Sequence, residues 1–153
     1  MTKPAGRPIG LTLARTAKVV GRAFEDTLAA AGGSTPIWLI LISLKKQPTS
    51  NQRELAAAVG IQGATLTHHL NAMEADGLIT RRRDPANRRV HQVRLTEQGE
   101  TLFHRLATAA RTHDQRLRTG FGEDELATLE RLLGRMRTNV ADDDTLPEGP
   151  LEH

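Results

Sequence analysis

The chain has 153 residues, 38% hydrophobic and 25% charged, with a formal net charge of +3 and a mean hydropathy of −0.42. This suits one domain, or one domain with extended arms, and its core must be aliphatic because one Trp, three Phe and no Tyr are present. Cysteine is absent, which excludes disulfides, thiolate metal sites and thiol redox sensing together; the lack of a run of about 18 apolar residues or a charged-then-apolar leader predicts a cytoplasmic protein that needs no membrane.

Met1 to Pro8, with two Pro and one Gly, reads as a loose terminus. Leu13, Ala17, Val20, Phe24 and Leu28 then recur at steps of four, three, four and four, one face of a helix that Gly32-Gly33 ends. In TPIWLILISLKK the apolar run from Ile37 to Ile42 suits a buried strand by residue type. Thr35 as N-cap, Pro36 at the first helical position and Pro48 as terminator predict a fully buried helix instead.

PTSNQRELAAAVG follows. Thr49 and Gln52 have capping-box spacing, with Ser50 as the alternative cap; Leu55, Ala56 and Val59 make a short apolar face that ends at Gly60. QGATLTHHLNAMEADG predicts a second helix with Leu66, Leu70 and Met73 inward and Gly77 as its stop. Two short helices joined by a tight, glycine-containing turn have helix-turn-helix spacing. LITRRRDPANRRVHQVRLT reads as strand, turn and strand, with His91, Val93 and Leu95 on one face of the second strand and Val90, Gln92 and Arg94 on the other. A hairpin in this position is the wing of a winged helix.

Thr96 is the expected cap of a long helix whose seam is Phe103, Leu106, Ala110, His113 and Leu117. A last helix repeats the spacing with Leu126, Leu129, Leu133, Met136 and Val140, and Phe121 and Leu126 sit where a hydrophobic staple would flank a Gly122 cap. The tail from Ala141 has a disordered composition, and Leu151-Glu152-His153 resembles a purification-tag scar.

The reading is therefore mainly α with a small β-hairpin wing. A winged helix-turn-helix over 35–95 is flanked by an N-terminal arm and dimerisation helix (1–34) and by C-terminal dimerisation helices (96–140), with a tail over 141–153. The central unit, at about 60 residues, is large enough for a small core of its own. The outer helices add seams that this core can hardly bury, which favours a helical homodimer over arms that fold back.

Charge is unevenly distributed. Thr80 to Arg94 holds six Arg and one Asp, a net of +5, whereas Phe121 to Glu148 holds eight acidic residues and three Arg, a net of −5. Arginine loops are often no more than solvated surface; the alternative is a surface for a polyanion.

Element order and particular residues resemble the MarR family (multiple antibiotic resistance regulator) of bacterial transcription regulators, from Ile9 to Val140. The resemblance rests on ATLTHHLNAMEADGLITR, the wing DPANRR and the following VRLTEQG. In the family's wing pattern, Asp84, Arg89, Val93, Leu95, Thr96 and Gly99 match, whereas Asn87 replaces a second Asp. His68 and His69 stand where members often carry Arg and an apolar residue, so base preference does not transfer from a relative. The resemblance implies a repressor of palindromic double-stranded DNA operators, released by a phenolic or other aromatic small molecule held where the dimer helices meet the winged domain.

The residues themselves specify a site for DNA. Helical periodicity turns Ala64, Thr65, His68 and Asn71 outward, where a helix in the major groove reads base edges; Gln62 lies near the helix start, Gly63 and Ala64 permit close approach, and Thr67 completes the expected contact set. Thr49, Ser50, Gln52 and Arg53 are expected at phosphates, and Arg88 and Arg89, held by Asp84 and Asn87, in the minor groove. Phe24, Trp38 and Phe103 either line an effector pocket or are ordinary core. No cofactor or metal is expected: His68 and His69 project about 100° apart on a helix, and His104 and His113 are too far apart for one ion. The competing readings are a sequence-tolerant, chromatin-type DNA binder and a His-based hydrolase, for which no nucleophile–base pair is visible.

Overall fold

The computed structural model describes residues 6–141; Met1 to Ala5, the tail beyond Ala141 and the suspected tag scar lie outside them. Its elements in chain order are α1 (Ile9–Ala30), α2 (Thr35–Lys46), β1 (Ser50–Asn51), α3 (Gln52–Val59), α4 (Gly63–Ala75), β2 (Ile79–Arg83), β3 (His91–Leu95), α5 (Glu97–Arg118) and α6 (Glu123–Val140). The chain divides within α5 into two units, Met1–His113 and Asp114–His153. No single described helix is long and apolar enough to cross a membrane.

The expected winged helix-turn-helix is present, with corrections at the predicted caps of α2 and α3. Ser34, not Thr35, caps α2 by accepting from the Ile37 N–H, and Thr35 is the first helical residue. The Thr35 N–H and hydroxyl instead donate to the Glu25 carboxylate of α1, the N–H at 3.1 and 3.3 Å. This satisfies an otherwise orphan donor at a helix start and braces the 75° bend between α1 and α2. Only one face of α2 is fully buried, through Ile40, Leu41, Ser43 and Leu44, while Ile37 and Trp38 are half-buried.

Asn51, not Thr49 or Ser50, caps α3. Its Oδ1 accepts from the Glu54 N–H at 2.8 Å and its side-chain amide donates to the Glu54 carboxylate, a reciprocal pairing between side chains in place of a capping box. Thr49 and Ser50 are displaced from that role because Ser50-Asn51 forms a third strand. β1 pairs with β3, opposing Ser50 to Val93, so the sheet is antiparallel in the order β1-β3-β2 rather than a bare hairpin.

The core joins Leu28 of α1, Ile40, Leu41 and Leu44 of α2, Leu55 of α3, Leu66, Leu70 and Met73 of α4, Ile79, Val93, and Leu102 and Leu106 of α5. Burying each such side chain contributes about 1.5–3 kcal/mol. Leu102 is an addition to the expected seam of α5.

Three residues lock the wing to its neighbours. Gly77, at φ +75°, closes α4: its N–H donates to Glu74 O and the Leu78 N–H to Met73 O, the paired bonds of a Schellman stop. Thr96 then caps α5 as expected, accepting from the Gly99 N–H at 3.1 Å while donating to Gly77 O at 2.6 Å. Gly99 is required by close approach, since a Cβ there would lie 2.1 Å from the Leu78 carbonyl oxygen. In the second unit, Gly122 caps α6 as expected, but the Glu125 carboxylate holds it, accepting from the Gly122 N–H at 2.9 Å. Phe121, the expected staple partner of Leu126, is instead exposed.

Candidate nucleic-acid interface

α4 is amphipathic in the sense the helix-turn-helix demands. Leu66, Leu70 and Met73 are buried, whereas Gln62, Gly63, Ala64, Thr65, Thr67, His68 and Asn71 are exposed. The start of α4 is open: Gln62 is the N-cap but makes no side-chain capping bond, and a Cβ built at Gly63 meets nothing within 4 Å. Both features leave the first-turn N–H groups accessible and permit close backbone approach. Thr67 donates to Gly63 O at 2.9 Å and accepts from Gln52 Nε2 at 3.4 Å, which brings these two expected contact residues, from α3 and α4, together.

At the start of α3, Thr49 and Arg53 are exposed and Gln52 is half-buried. Ser50 is set apart from them. Its side chain is buried in β1 and its hydroxyl donates to Gln47 O at 2.9 Å, which turns it away from an approaching phosphate.

The wing is built by pairing Ile79 with Leu95, Arg81 with Val93, and Arg83 with His91 across β2 and β3. Asp84 and Asn87 shape its turn through the backbone. Asp84 Oδ1 accepts from the Ala86 N–H at 2.9 Å and Asn87 Oδ1 from the Arg89 N–H at 3.2 Å. Two main-chain bonds, Asp84 N–H to Val90 O and Val90 N–H to Asn87 O, complete the turn. These are Asx turns, which an amide makes as well as a carboxylate, so Asn87 fulfils the turn role despite its lost charge.

The arginines of the wing fall into two groups. Arg82, Arg83, Arg88, Arg89 and Arg94 are exposed and make no ion pair among the described residues. Arg81 is different. Its Nε and Nη2 donate to the two Glu74 carboxylate oxygens of α4, both at 3.2 Å, and Nη2 donates also to Asn71 Oδ1 at 2.6 Å. Its backbone N–H, on the outer edge of β2, donates to the same Glu74 carboxylate. The hydrogen bonds and charge of Arg81 hold the Glu74 carboxyl below its ordinary range, against the opposing effect of burial.

The sequence alone gave no role to Arg81 or Glu74. The signal was available: residues alternate across a strand, so an inward Ile79 turns Arg81 toward α4, where Asn71 and Glu74 share a face at a spacing of three. The expected aromatic residues are placed in two pairs. Trp38 stacks on Phe103 with centroids 5.6 Å apart, with Lys45 Nζ 5.3 Å from the Phe103 ring, and Phe24 lies 5.0 Å from His113. All three are half-buried against the core. Among the described residues no group of three His, Asp or Glu could hold a metal.

The MarR family model matches residues 34–91, from the cap of α2 to the start of β3. Among solved structures, the chain is similar to the transcriptional repressor CouR bound to a 23-mer DNA duplex: the two are 29% identical, with 84% of this chain and 92% of that chain covered and a TM-score of 0.76. A mutant MarR from E. coli complexed with operator DNA is 22% identical over 84% of this chain and 93% of that chain, with a TM-score of 0.74. The organohalide-sensing transcriptional regulator RdhR, in its 2,4-dichlorophenol-bound form, is 17% identical over 100% of this chain and 99% of that chain, with a TM-score of 0.77. At those lower identities the last two likenesses establish the fold alone. CouR is a transcriptional repressor and RdhR a transcriptional regulator. With its helix-turn-helix, its three-stranded wing and a family model that matches from the cap of α2 to the start of β3, this chain is similar to the MarR family.

Proposed function

We propose that the chain is a sequence-specific, DNA-binding transcriptional regulator that acts as a homodimer, and that it is a repressor relieved by a small aromatic effector. One observation carries the DNA reading: a polar, exposed face on α4 stands beside a wing whose outward arginines make no ion pair among the described residues. In a major groove, Gln62, Ala64, Thr65, Thr67, His68 and Asn71 would face base edges, with Gly63 allowing close approach. Thr49, Gln52 and Arg53 would meet phosphates at the start of α3, and Arg88 and Arg89 the adjacent minor groove. Asp84 and Asn87 act on the turn rather than on DNA. The DNA-bound CouR supports this reading by likeness.

The division of labour follows the sequence, with 35–95 binding DNA and 1–34 and 96–140 forming the dimer. In support, α1 exposes Ile9, Leu11 and Val19, and α6 exposes Leu129, Leu132 and Leu133. A two-fold dimer would place two recognition helices about one helical turn apart on a palindrome. For the effector, the Trp38–Phe103 and Phe24–His113 pairs offer flat apolar walls. His113 Nδ1, buried without a hydrogen-bond partner among the described residues, would be satisfied by a phenolic hydroxyl. The 2,4-dichlorophenol-bound form of RdhR supports that chemical class.

Selection of genomic fragments at moderate salt tests the reading. A single inverted-repeat motif, released by phenolic compounds, is expected; fragments bound without an enriched motif would indicate a sequence-tolerant, chromatin-type binder. Replacing Arg89→Ala should weaken binding by about 1–3 kcal/mol and lower the salt slope by about one. Unchanged affinity and slope in that variant would remove the wing from the interface.

A further inference from the structure

The geometry points to Asn71 as a donor-only reader of DNA bases, with Arg81 as the positioning residue that sets its orientation; this inference rests on the DNA-binding reading above. A guanidinium has five N–H donors and no acceptor, so only the oxygen of an amide can face it. Arg81 Nη2 donates to Asn71 Oδ1 at 2.6 Å. Turning the amide over would set two donors against each other. Arg81 is not free to move away, because its Nε and the same Nη2 also engage both Glu74 oxygens and its main-chain N–H donates to Glu74 Oε2. The Arg81 side chain is only 16% exposed, although its partners Glu74 and Asn71 face solvent.

The consequence lies on the other side of the amide. Asn71 is exposed, and its Nδ2 has no partner among the described residues. A free asparagine reads adenine with both ends, Oδ1 accepting from N6 and Nδ2 donating to N7. Here Oδ1 is turned toward β2, so Asn71 offers DNA a donor alone. Guanine, with O6 and N7 both accepting in the major groove, suits that donor better than adenine, whose N6 donor lies beside its N7. The usual rule for asparagine is thereby inverted by a wing-strand arginine that itself need not touch DNA.

Two variants test this by selection from a random duplex library, with the purified full chain as the probe protein. The wild type should prefer guanine over adenine by about tenfold at one position in each half-site. Asn71→Asp keeps a partner for Arg81, and so keeps the packing, but it has no donor; guanine preference at that position should vanish while the other positions hold. Arg81→Met releases the amide, and the guanine-to-adenine ratio should fall toward or below one. If Asn71→Asp keeps the guanine preference, or if it weakens all sequences evenly as a phosphate contact would, the inference is overturned. The same holds if Arg81→Met folds and selects as the wild type does. In each of those cases the wild-type motif still stands and supports DNA binding. A wild type that enriches no motif overturns the DNA reading itself, and this inference with it.

Discussion

Helices α4 and α6 carry apolar seams of the same three-and-four spacing, yet they meet different fates. In α4, Leu66, Leu70 and Met73 are buried to 0–1% exposure. In α6 no residue is buried, and Leu129 and Leu133 remain 45% and 36% exposed. Periodicity identifies which residues share a face but not what covers that face. α4 lies between α3 and the wing and finds its cover among close neighbours in the sequence. No residue of α6 is buried among the described residues, and in the proposed homodimer a second copy of the chain would cover its seam by two-fold symmetry.

The sharpest way to break this comparison is truncation in each seam. Leu70→Ala should cost about 2–5 kcal/mol in chemical denaturation, by lost transfer energy and a residual cavity. A cost under 1 kcal/mol would show that α4 is not part of the core. Gly99→Ala follows, at about 1–3 kcal/mol, because the new methyl meets the Leu78 carbonyl rather than a movable side chain. A neutral outcome there would mean that α5 can retreat from the wing at little cost. Leu129→Ala, by contrast, should leave the secondary structure intact and act on assembly. Sedimentation should show the dimer weakened by about 1–2 kcal/mol, the range for a central apolar interface residue. A chain that is monomeric at every concentration would leave the α6 seam without its proposed role.

The same contrast explains what was legible in the sequence. Helix periods, the wing and the Thr96 and Gly122 caps were readable because each depends on residues a few positions apart. Asn51 and Glu54 also carried a readable signature, but Thr49 with Gln52 offered the same spacing. The pairing of Ser50 with Val93, 43 positions away, decided between them by drawing Ser50 into the sheet. Arg81 was hidden for a related reason. In a row of three arginines composition marks all alike; the strand register, with Ile79 inward, sets Arg82 apart, and only the nearness of Glu74 on α4 singles out Arg81 from Arg83 on the same face. Gly99 matched a family pattern, but its cause is a contact with Leu78 that no local spacing shows.

The smallest expected effect tests whether that Arg81 network is electrostatic or merely steric. The Glu74 side chain is 43% exposed, so the pair should contribute at most about 1 kcal/mol. Its folded-state pKa is lowered, chiefly by the Arg81 hydrogen bond. The contribution is therefore fully present above the unfolded glutamate value of about 4.3 and is lost as pH falls through the folded value. Glu74→Gln keeps an acceptor for Arg81 but removes the charge. It should be slightly less stable than wild type at neutral pH, and the two stabilities should converge below the carboxylate range. A gap that stays constant into acid would assign the bond to shape rather than charge. Because α4 would then be held by packing and geometry alone, the contrast with α6 would rest entirely on what buries its apolar face.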